Sequence, residues 1–312
     1  MAFSLGDNHI SVNYHYVEDL RDDARGIHPC SVAEFERQIV FLAKHYRFVS
    51  IPHVFDAAQK GLQEKLCAIT FDDGLQDQWD NALPILKQYG VLATFFIITG
   101  TLDDKIPSAH KIHMVLSRIS MPVLVEKFNL FLSHDFPDLA QTHHIPSDHY
   151  LNDKRRHDDI PSANFKEMLN NIAPRNVSAA FLSLMLTELG MREDEECGKL
   201  FMTAQEIFLL QDQGFFVETH THNHYSLERE PVDVLRKDFH EATDALTSIL
   251  GKSPHVMAYP YGRPPGNHTI LSEHGIAYGV TVENKAIIAG NNPLLIPRFD
   301  TNDIRDFLNG NG

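Results

Sequence analysis

Short apolar runs alternate along this chain with longer amphipathic segments. The run at residues 91–98 is almost continuously apolar, which is typical of a parallel strand covered by helices on both faces. This alternation predicts an α/β fold, an irregular parallel barrel with seven or eight strands. Strands are predicted at residues 10–15, 48–51, 66–71, 91–98, 215–219, 256–259, 277–282 and 294–297. Helices are predicted at residues 31–46, 76–89, 203–213 and 232–250.

The alternation stops between residues 101 and about 200, where helical pieces are joined by polar stretches rich in His and Asp. We interpret this segment as a helical insertion and the whole chain, residues 1–312, as a single domain. At the helix starts, Ser31 with Glu34 and Thr203 with Glu206 have the spacing of capping boxes.

The overall charge limits the class of partner. Acidic residues number 42 against 27 basic ones, which gives a formal net charge of −15. Such a chain is poorly suited to nucleic acid or to an anionic membrane surface, whereas a neutral substrate or one that becomes cationic is compatible. Three cysteines without a CxxC pair do not indicate a disulfide framework.

The expected location is the cytoplasm, because the first ten residues lack the basic and apolar regions of a signal peptide. No apolar stretch approaches the length of a membrane span. The sequence leaves the oligomeric state open.

Two polar motifs follow predicted strands. Asp72 and Asp73 come directly after the apolar run that ends in Thr70-Phe71, and His220 and His224 follow the run at residues 215–217. Buried carboxylates have to be paired or bound to a metal, and the carboxyl ends of parallel strands meet at one edge of a barrel. We therefore predict that Asp73, His220 and His224 bind one divalent metal. The coordination positions left open mark a catalytic site.

Each motif also has a plainer explanation. The chain has four Asp-Asp pairs, and three of them lie in polar stretches that read as solvated turns. With 19 histidines, a His-x-x-x-His spacing arises by chance roughly once. The conjunction of both motifs with strand ends favours the metal site. His222 lies on the same side of an extended segment as His220 and His224, so periodicity leaves it open as a further ligand.

The order of motifs resembles a known family. Tyr14-His15-Tyr16, the sequence TFDDG at 70–74, HTxxH at 220–224 and Tyr259-Pro260-Tyr261-Gly262 resemble those of polysaccharide deacetylases of the NodB homology type, carbohydrate esterase family 4. The resemblance covers about residues 8–100 and 200–310, and residues 297–303 resemble a branch linked to the synthesis of surface polysaccharide or lipopolysaccharide.

The resemblance implies a distorted (β/α)7 barrel and a metal-dependent hydrolase. Its reaction would remove an N-acyl group, acetyl or formyl, from an amino sugar or a glycan that contains one. Zinc is the expected ion, although cobalt, nickel, manganese and iron also suit a mixed carboxylate and imidazole site. Two alternatives are a catalytically weak carbohydrate-binding protein on the same fold and a metal-dependent hydrolase of a non-sugar amide.

The resemblance also implies roles for single residues. Asp72 would be the general base, and the backbone N–H of Tyr261 would help to hold the oxyanion, which is worth roughly 3–4 kcal/mol in the transition state. The residues expected to contact substrate are His15, Tyr259, Pro260 and Gly262.

This chain departs from the family pattern at two positions. Ala258 stands where the family often has an arginine that orients the base. Arg298, after a late apolar run, is the first candidate to replace it, and Arg263 is the second. The family's late histidine, its general acid, has no clear match, which leaves His15, His268 or the protonated base itself as candidates for that role.

Overall fold

The computed structural model describes residues 9–20, 27–146, 148–152 and 158–309. Eight strands form one sheet, in which every pair of neighbouring strands is parallel. In chain order, β1 to β8 are Ile10–Tyr14, Arg47–Phe48, Leu66–Phe71, Ala93–Ile97, Phe216–Thr219, Val256–Ala258, Tyr278–Val280 and Phe299–Asp300.

The order of strands across the sheet is β7-β6-β5-β4-β3-β1-β8, and β2 also pairs with β3. The two strands that precede the polar motifs, β3 and β5, both pair with β4. The carboxyl ends of β3 and β5 therefore lie at one edge of the sheet, two strand positions apart. The predicted α/β class with parallel strands is confirmed.

Twelve helices accompany these strands in the described residues. In chain order, α1 to α12 are Val32–His45, Ile51–Gln59, Leu83–Tyr89, Ser108–Arg118, Met121–Asp135, Ile160–Glu167, Arg175–Glu188, Glu193–Leu200, Ala204–Asp212, Val232–Leu250, Thr269–Glu273 and Thr301–Leu308. None of the helices described is both long and apolar enough to cross a membrane.

Helix periodicity and caps explain the best-defined helices. α1 buries Phe35, Ile39 and Leu42 on one face. α9 begins with the predicted capping box, because Thr203 accepts from the N–H of Glu206 and the Glu206 side chain accepts from the N–H of Thr203.

The other predicted capping box is only half formed, and this part of the prediction is wrong. The Ser31 hydroxyl accepts from the N–H of Glu34 as expected. The Glu34 carboxylate, however, accepts hydrogen bonds from the side chains of Arg37 and Gln38, which lie one turn further along the helix. The i,i+3 and i,i+4 neighbours of Glu34 thus compete successfully for its oxygens.

Two predicted strands need correction. The run at 48–51 stops being a strand after Phe48, because Ser50 caps the N-terminus of α2, a helix that the sequence did not predict. The run at 294–297 forms only a single bridge, between Ile296 and Val280. Pro297 has no N–H with which to extend that pairing, and the chain rejoins the sheet at β8, next to β1.

The predicted helix at 76–89 is also irregular. Residues Gln78–Ala82 form a π-helical turn, and α3 follows it and ends at Gly90, whose φ is +64°. A π turn of this kind is often found at functional sites.

The chain divides into two compact units. The barrel unit comprises Met1–Asp19, Pro29–Asp103 and Gly198–Gly312, and the helical unit comprises Leu20–His28 and Asp104–Cys197. The helical unit has an apolar core of its own, in which the rings of Phe128 and Phe165 pack on Phe181 at centroid distances of 5.1 and 6.2 Å. The interpretation as a single domain with an insertion at about 101–200 stays a prediction.

Candidate metal centre

Three of the predicted site residues meet at the carboxyl edge of the sheet. Asp73 follows β3, His220 follows β5 directly, and His224 comes four residues later. The Nε2 atoms of His220 and His224 lie 3.4 and 3.6 Å from Oδ1 of Asp73. Each residue offers one potential ligand atom, and these three atoms all lie within 4.8 Å of one another. All three side chains are buried.

The donor set fits a divalent ion. Nδ1 of His220 lies 2.8 Å from the carbonyl oxygen of Ala258, and a proton on Nδ1 leaves the Nε2 lone pair directed at the cluster. Burial lowers the pKa of His220, but the Asp72 and Asp73 carboxylates more than offset that effect, so this pKa is raised. The cluster is therefore a place where positive charge is stabilised. Two imidazoles and one carboxylate suit zinc and several other transition metals.

The backbone around this cluster is strained. Five non-glycine residues in the described part of the chain have positive φ, and four of them lie at the candidate site: Asp73 at +78°, Thr221 at +67°, His224 at +56° and Tyr261 at +59°. Each such residue costs of the order of 1–3 kcal/mol and persists only where its surroundings hold it. The strain turns these side chains in directions that a regular strand or helix does not offer.

Asp72 is buried beside the cluster and is held by Arg298. Its Oδ1 and Oδ2 accept from Nη1 and Nη2 of Arg298 at 2.7 and 2.8 Å, a two-point pairing. Nη1 of Arg298 also donates to Asn13 and Thr70, and its Nε donates to the carbonyl of Thr281. Burial raises the pKa of Asp72, but the Arg298 guanidinium and then His220 outweigh burial, so this pKa lies below its usual value.

His15 lies close to Asp72 and is partly exposed. Its Nε2 lies 3.9 Å from Oδ2 of Asp72, and its side chain is 41% exposed. The buried amide of Gln78, in the π turn, donates to the backbone carbonyls of both His15 and Asp72, at 3.0 and 2.6 Å. One side chain therefore fixes the spacing between these two residues.

The Pro260–Gly262 turn carries the third motif. The Tyr261 ring lies edge-on to that of His224, with centroids 4.8 Å apart. Gly262 has φ +68°, and a Cβ there would collide with Cγ2 of Val282, so only glycine fits. The turn therefore positions Tyr261 against one of the candidate ligands.

Comparison with known proteins identifies the family. Residues 59–126 and 156–279, more than half of the chain, match the family described as polysaccharide deacetylase. This chain belongs to the polysaccharide deacetylase family.

A poly-β-1,6-N-acetyl-D-glucosamine N-deacetylase of Staphylococcus aureus is 25% identical over 276 residues, which cover 88% of this chain and 68% of that protein. The Streptococcus pyogenes deacetylase PplD, solved in complex with acetate, superposes with a TM-score of 0.59 at 19% identity, covering 94% of this chain and 92% of that one. IcaB from Ammonifex degensii superposes with a TM-score of 0.58 at 18% identity, covering 94% of this chain and 91% of that one. The shared fold confirms the predicted distorted (β/α)7 barrel.

His222, which the sequence left open as a ligand of this polysaccharide deacetylase, faces away from the cluster. Its Nδ1 lies 3.0 Å from Oγ1 of Thr99, and its Nε2 lies 3.6 Å from Asp103 and 4.0 Å from Glu241. Within the described residues, the group of potential metal ligands contains Asp73, His220 and His224 and does not include His222.

The structure also gives the surroundings of the other predicted residues. The Tyr259 ring is buried in an apolar cluster, and its hydroxyl donates to the carbonyl of Leu294, so this phenol is not on a substrate-accessible surface. Arg263 pairs with Glu228 at 2.8 Å, whereas Arg298 has the contact with Asp72. His268 immediately precedes α11. Pro260 is buried at the start of its turn.

Sequence reasoning missed three polar residues that support this site: Asn13, Gln78 and Asp238. Asn13 contacts Arg298, Gln78 spaces His15 from Asp72, and Asp238 binds the loop between the two histidines. Only Asp238 left a clear signal, because it is an acidic residue on the face of α10 that also carries Leu235 and Phe239.

Proposed function

We propose that this polysaccharide deacetylase is a metal-dependent hydrolase that removes the N-acetyl group from an amino sugar within a glycan. The observation that carries the proposal is the buried pairing of Asp72 with Arg298 beside the cluster of Asp73, His220 and His224. An orienting arginine next to a base, and a separate set of ligands, suit hydrolysis of an amide better than passive sugar binding.

Asp73, His220 and His224 would hold the metal, and zinc is the ion proposed first. When bound there, a divalent ion supplies a water of lowered pKa and polarises the acyl carbonyl. Asp72 takes the proton of the attacking water as its oxygen adds to the acyl carbon. The Arg298 pairing keeps Asp72 unprotonated and fixes the direction of its oxygens.

The remaining steps use residues at the rim. The backbone N–H of Tyr261 donates to the oxygen that becomes negative when water adds, in a turn that the Gly262 conformation maintains. The C–N bond then breaks, and the departing nitrogen needs a proton. His15 is the proposed donor, because it is partly exposed and lies 3.9 Å from Asp72. The products are a free amine and an acetate ion.

The proposed substrate class is a polymer of N-acetylglucosamine. The relative from Staphylococcus aureus carries the name of a poly-β-1,6-N-acetyl-D-glucosamine N-deacetylase, and this polymer is therefore the first to test. The net charge of −15 is compatible with a product that becomes cationic on deacetylation.

Release of acetate, or of formate from the N-formyl analogues, from a panel of substrates tests the proposal. The panel contains β-1,6- and β-1,4-linked N-acetylglucosamine oligomers, N-formyl analogues and a non-sugar acetamide. We expect acetate from at least one glycan and little from the acetamide. Binding of the oligomers without any release of acyl group would favour a carbohydrate-binding protein, and preference for the acetamide would favour a hydrolase of non-sugar amides.

Asp72→Asn is the matched inactive variant. Loss of a general base typically lowers turnover about 100- to 10,000-fold. Because Asp72 is not one of the three proposed ligands, metal content by elemental analysis should stay near that of the wild type. Wild-type turnover in a folded Asp72→Asn protein would refute the role of Asp72.

A further inference from the structure

The loop from His220 to His224 is held by a buried carboxylate that the proposed chemistry does not use. Asp238, on the inner face of α10, accepts from the backbone N–H of His222 at 3.2 Å and from that of Asn223 at 2.9 Å. It also accepts from Nδ2 of Asn223 at 2.7 Å. Its side chain is almost completely buried, at 1% exposure.

An aliphatic residue would be the ordinary choice at this position. Leu235, Phe239 and Ala242 are buried on the same face of α10, and a carboxylate there loses its hydration. That loss is compensated only when N–H groups replace the lost water. The N–H groups that donate to Asp238 belong to His222 and Asn223, which lie between His220 and His224. The carboxylate therefore binds this loop and not its own helix.

The loop needs such a partner because its backbone is strained. Thr221 and His224 both have positive φ, a conformation that non-glycine residues seldom adopt without support. On its other side the loop is held by Gly100, whose N–H donates to the carbonyl of His222 at 2.8 Å. A Cβ at Gly100 would reach that same carbonyl oxygen, so the two segments approach as closely as glycine permits. Asp238 and Gly100 thus hold His222 from two sides.

We propose that Asp238 is a positioning residue that sets the spacing of His220 and His224 for the metal, an inference that rests on the function proposed above. Without its hydrogen bonds, the turn is free to relax toward negative φ, and the His224 ring then moves relative to Asp73. Supporting residues that orient metal ligands typically change metal affinity 10- to 100-fold when they are lost.

The experiment compares Asp238→Asn with Asp244→Asn. Both substitutions remove one negative charge from α10, but the Asp244 side chain is 65% exposed and is paired with the exposed His240. Zn²⁺ affinity is measured by competition with a chromophoric chelator, alongside thermal unfolding of the metal-free proteins. We expect Asp238→Asn to bind Zn²⁺ about 10- to 100-fold more weakly, and Asp244→Asn to bind it like the wild type.

A second variant keeps the test decisive if Asp238→Asn does not fold. Asn223→Ala removes one of the three hydrogen bonds from the loop side and leaves α10 intact. We expect a smaller loss of Zn²⁺ affinity, of the order of a few-fold. Wild-type affinity in the folded variants would overturn the inference. A wild-type protein that neither binds Zn²⁺ nor releases acetate would instead overturn the proposed function.

Discussion

At the scale of single residues, the pairing of Asp72 with Arg298 is the contact on which the proposed chemistry most depends. Arg298 is almost completely buried, and each of its three nitrogen atoms donates a hydrogen bond; the acceptors are Asp72, Asn13, Thr70 and the carbonyl of Thr281. A buried guanidinium that is paired in this way holds its carboxylate in one orientation, which a lysine ammonium cannot reproduce.

Arg298→Lys should therefore slow the reaction and change its pH dependence. Arg298 keeps the pKa of Asp72 low, so its replacement should raise that pKa and shift the acidic limb of the rate profile to higher pH. Turnover at neutral pH should fall on the order of 10- to 100-fold, the worth of a charged hydrogen bond. The measurement is the pH profile of kcat/KM.

Arg263→Lys is the control for this prediction, because Arg263 pairs with Glu228, which is half exposed. Its profile should match that of the wild type. A folded Arg298→Lys protein whose acidic limb does not move would show that Arg298 does not serve Asp72.

At the scale of elements, short irregular turns position the supporting groups of this site. The π turn at Gln78–Ala82 presents the Gln78 amide to two carbonyls, and the Pro260–Gly262 turn places Tyr261 beside His224. Each turn is a departure from regular structure that reorients a backbone group or a side chain. Such departures are found where function requires a geometry that helices and strands lack.

Gly262→Ala should distort the Pro260–Gly262 turn, which positions Tyr261. An added Cβ would meet Val282 while φ is +68°, so the turn has to shift and carry the Tyr261 N–H with it. Loss of one oxyanion donor typically lowers kcat about 100- to 1,000-fold. Steady-state kinetics should show the loss mainly in kcat.

Gly266→Ala is the matched control for the turn, because a Cβ at Gly266 meets nothing within 4 Å. Its kcat should stay within about twofold of the wild type, as expected for a surface substitution. Equal kcat values for the two alanine variants would remove Tyr261 from the proposed mechanism.

At the scale of the whole molecule, metal binding and folding should be linked. The proposed ligands come from the ends of β3 and β5, which are not adjacent in sequence, so the site exists only in the folded barrel unit. Ligand present at 1,000 times its Kd stabilises a fold by about 4 kcal/mol. Removing metal with a chelator should lower Tm and abolish acetate release, and adding Zn²⁺ should restore both.

An unchanged Tm after verified removal of metal would argue against a site formed by these three residues. A Tm that recovers without activity would separate binding from catalysis. Repeating the titration with Co²⁺, Ni²⁺, Mn²⁺ and Fe²⁺ identifies the ion that best supports turnover.

The stability of the helical unit should depend on pH through Asp158. Burial raises the pKa of Asp158, but hydrogen bonds and charge from His28 and Lys166 outweigh burial and lower this pKa to about 2. Because the folded pKa lies below the unfolded one, the stabilisation is present above about pH 4 and is lost as pH falls toward 2. We expect Asp158→Asn to lower the free energy of unfolding at pH 7 by about 1–2 kcal/mol, with the difference shrinking by pH 3.

Urea unfolding at the two pH values measures this difference. Asp194→Asn serves as the control, because Asp194 and its partner Arg192 are both exposed, and little change is expected at either pH. A constant difference between wild type and Asp158→Asn from pH 7 to pH 3 would mean that Asp158 does not titrate as proposed.

The sequence by itself determined the elements whose signals are local. The predicted strand at 66–71 and the predicted helix at 232–250 have the observed bounds, because each is defined by its own apolar pattern and its own end residues. The meeting of Asp73 with His220 and His224 was also predictable, since parallel strands bring their carboxyl ends to one edge.

Only the tertiary structure decided which partner each polar side chain has. The sequence left Arg298 and Arg263 as candidates to orient Asp72, and only the structure shows the contact of Arg298 with Asp72, which joins residues 226 positions apart. His222 turns away from the candidate metal-binding cluster although an extended segment would align it with His220 and His224, because Thr221 has positive φ. Loop directions depend on backbone angles that distant residues such as Asp238 stabilise, whereas periodicity reports only regular structure.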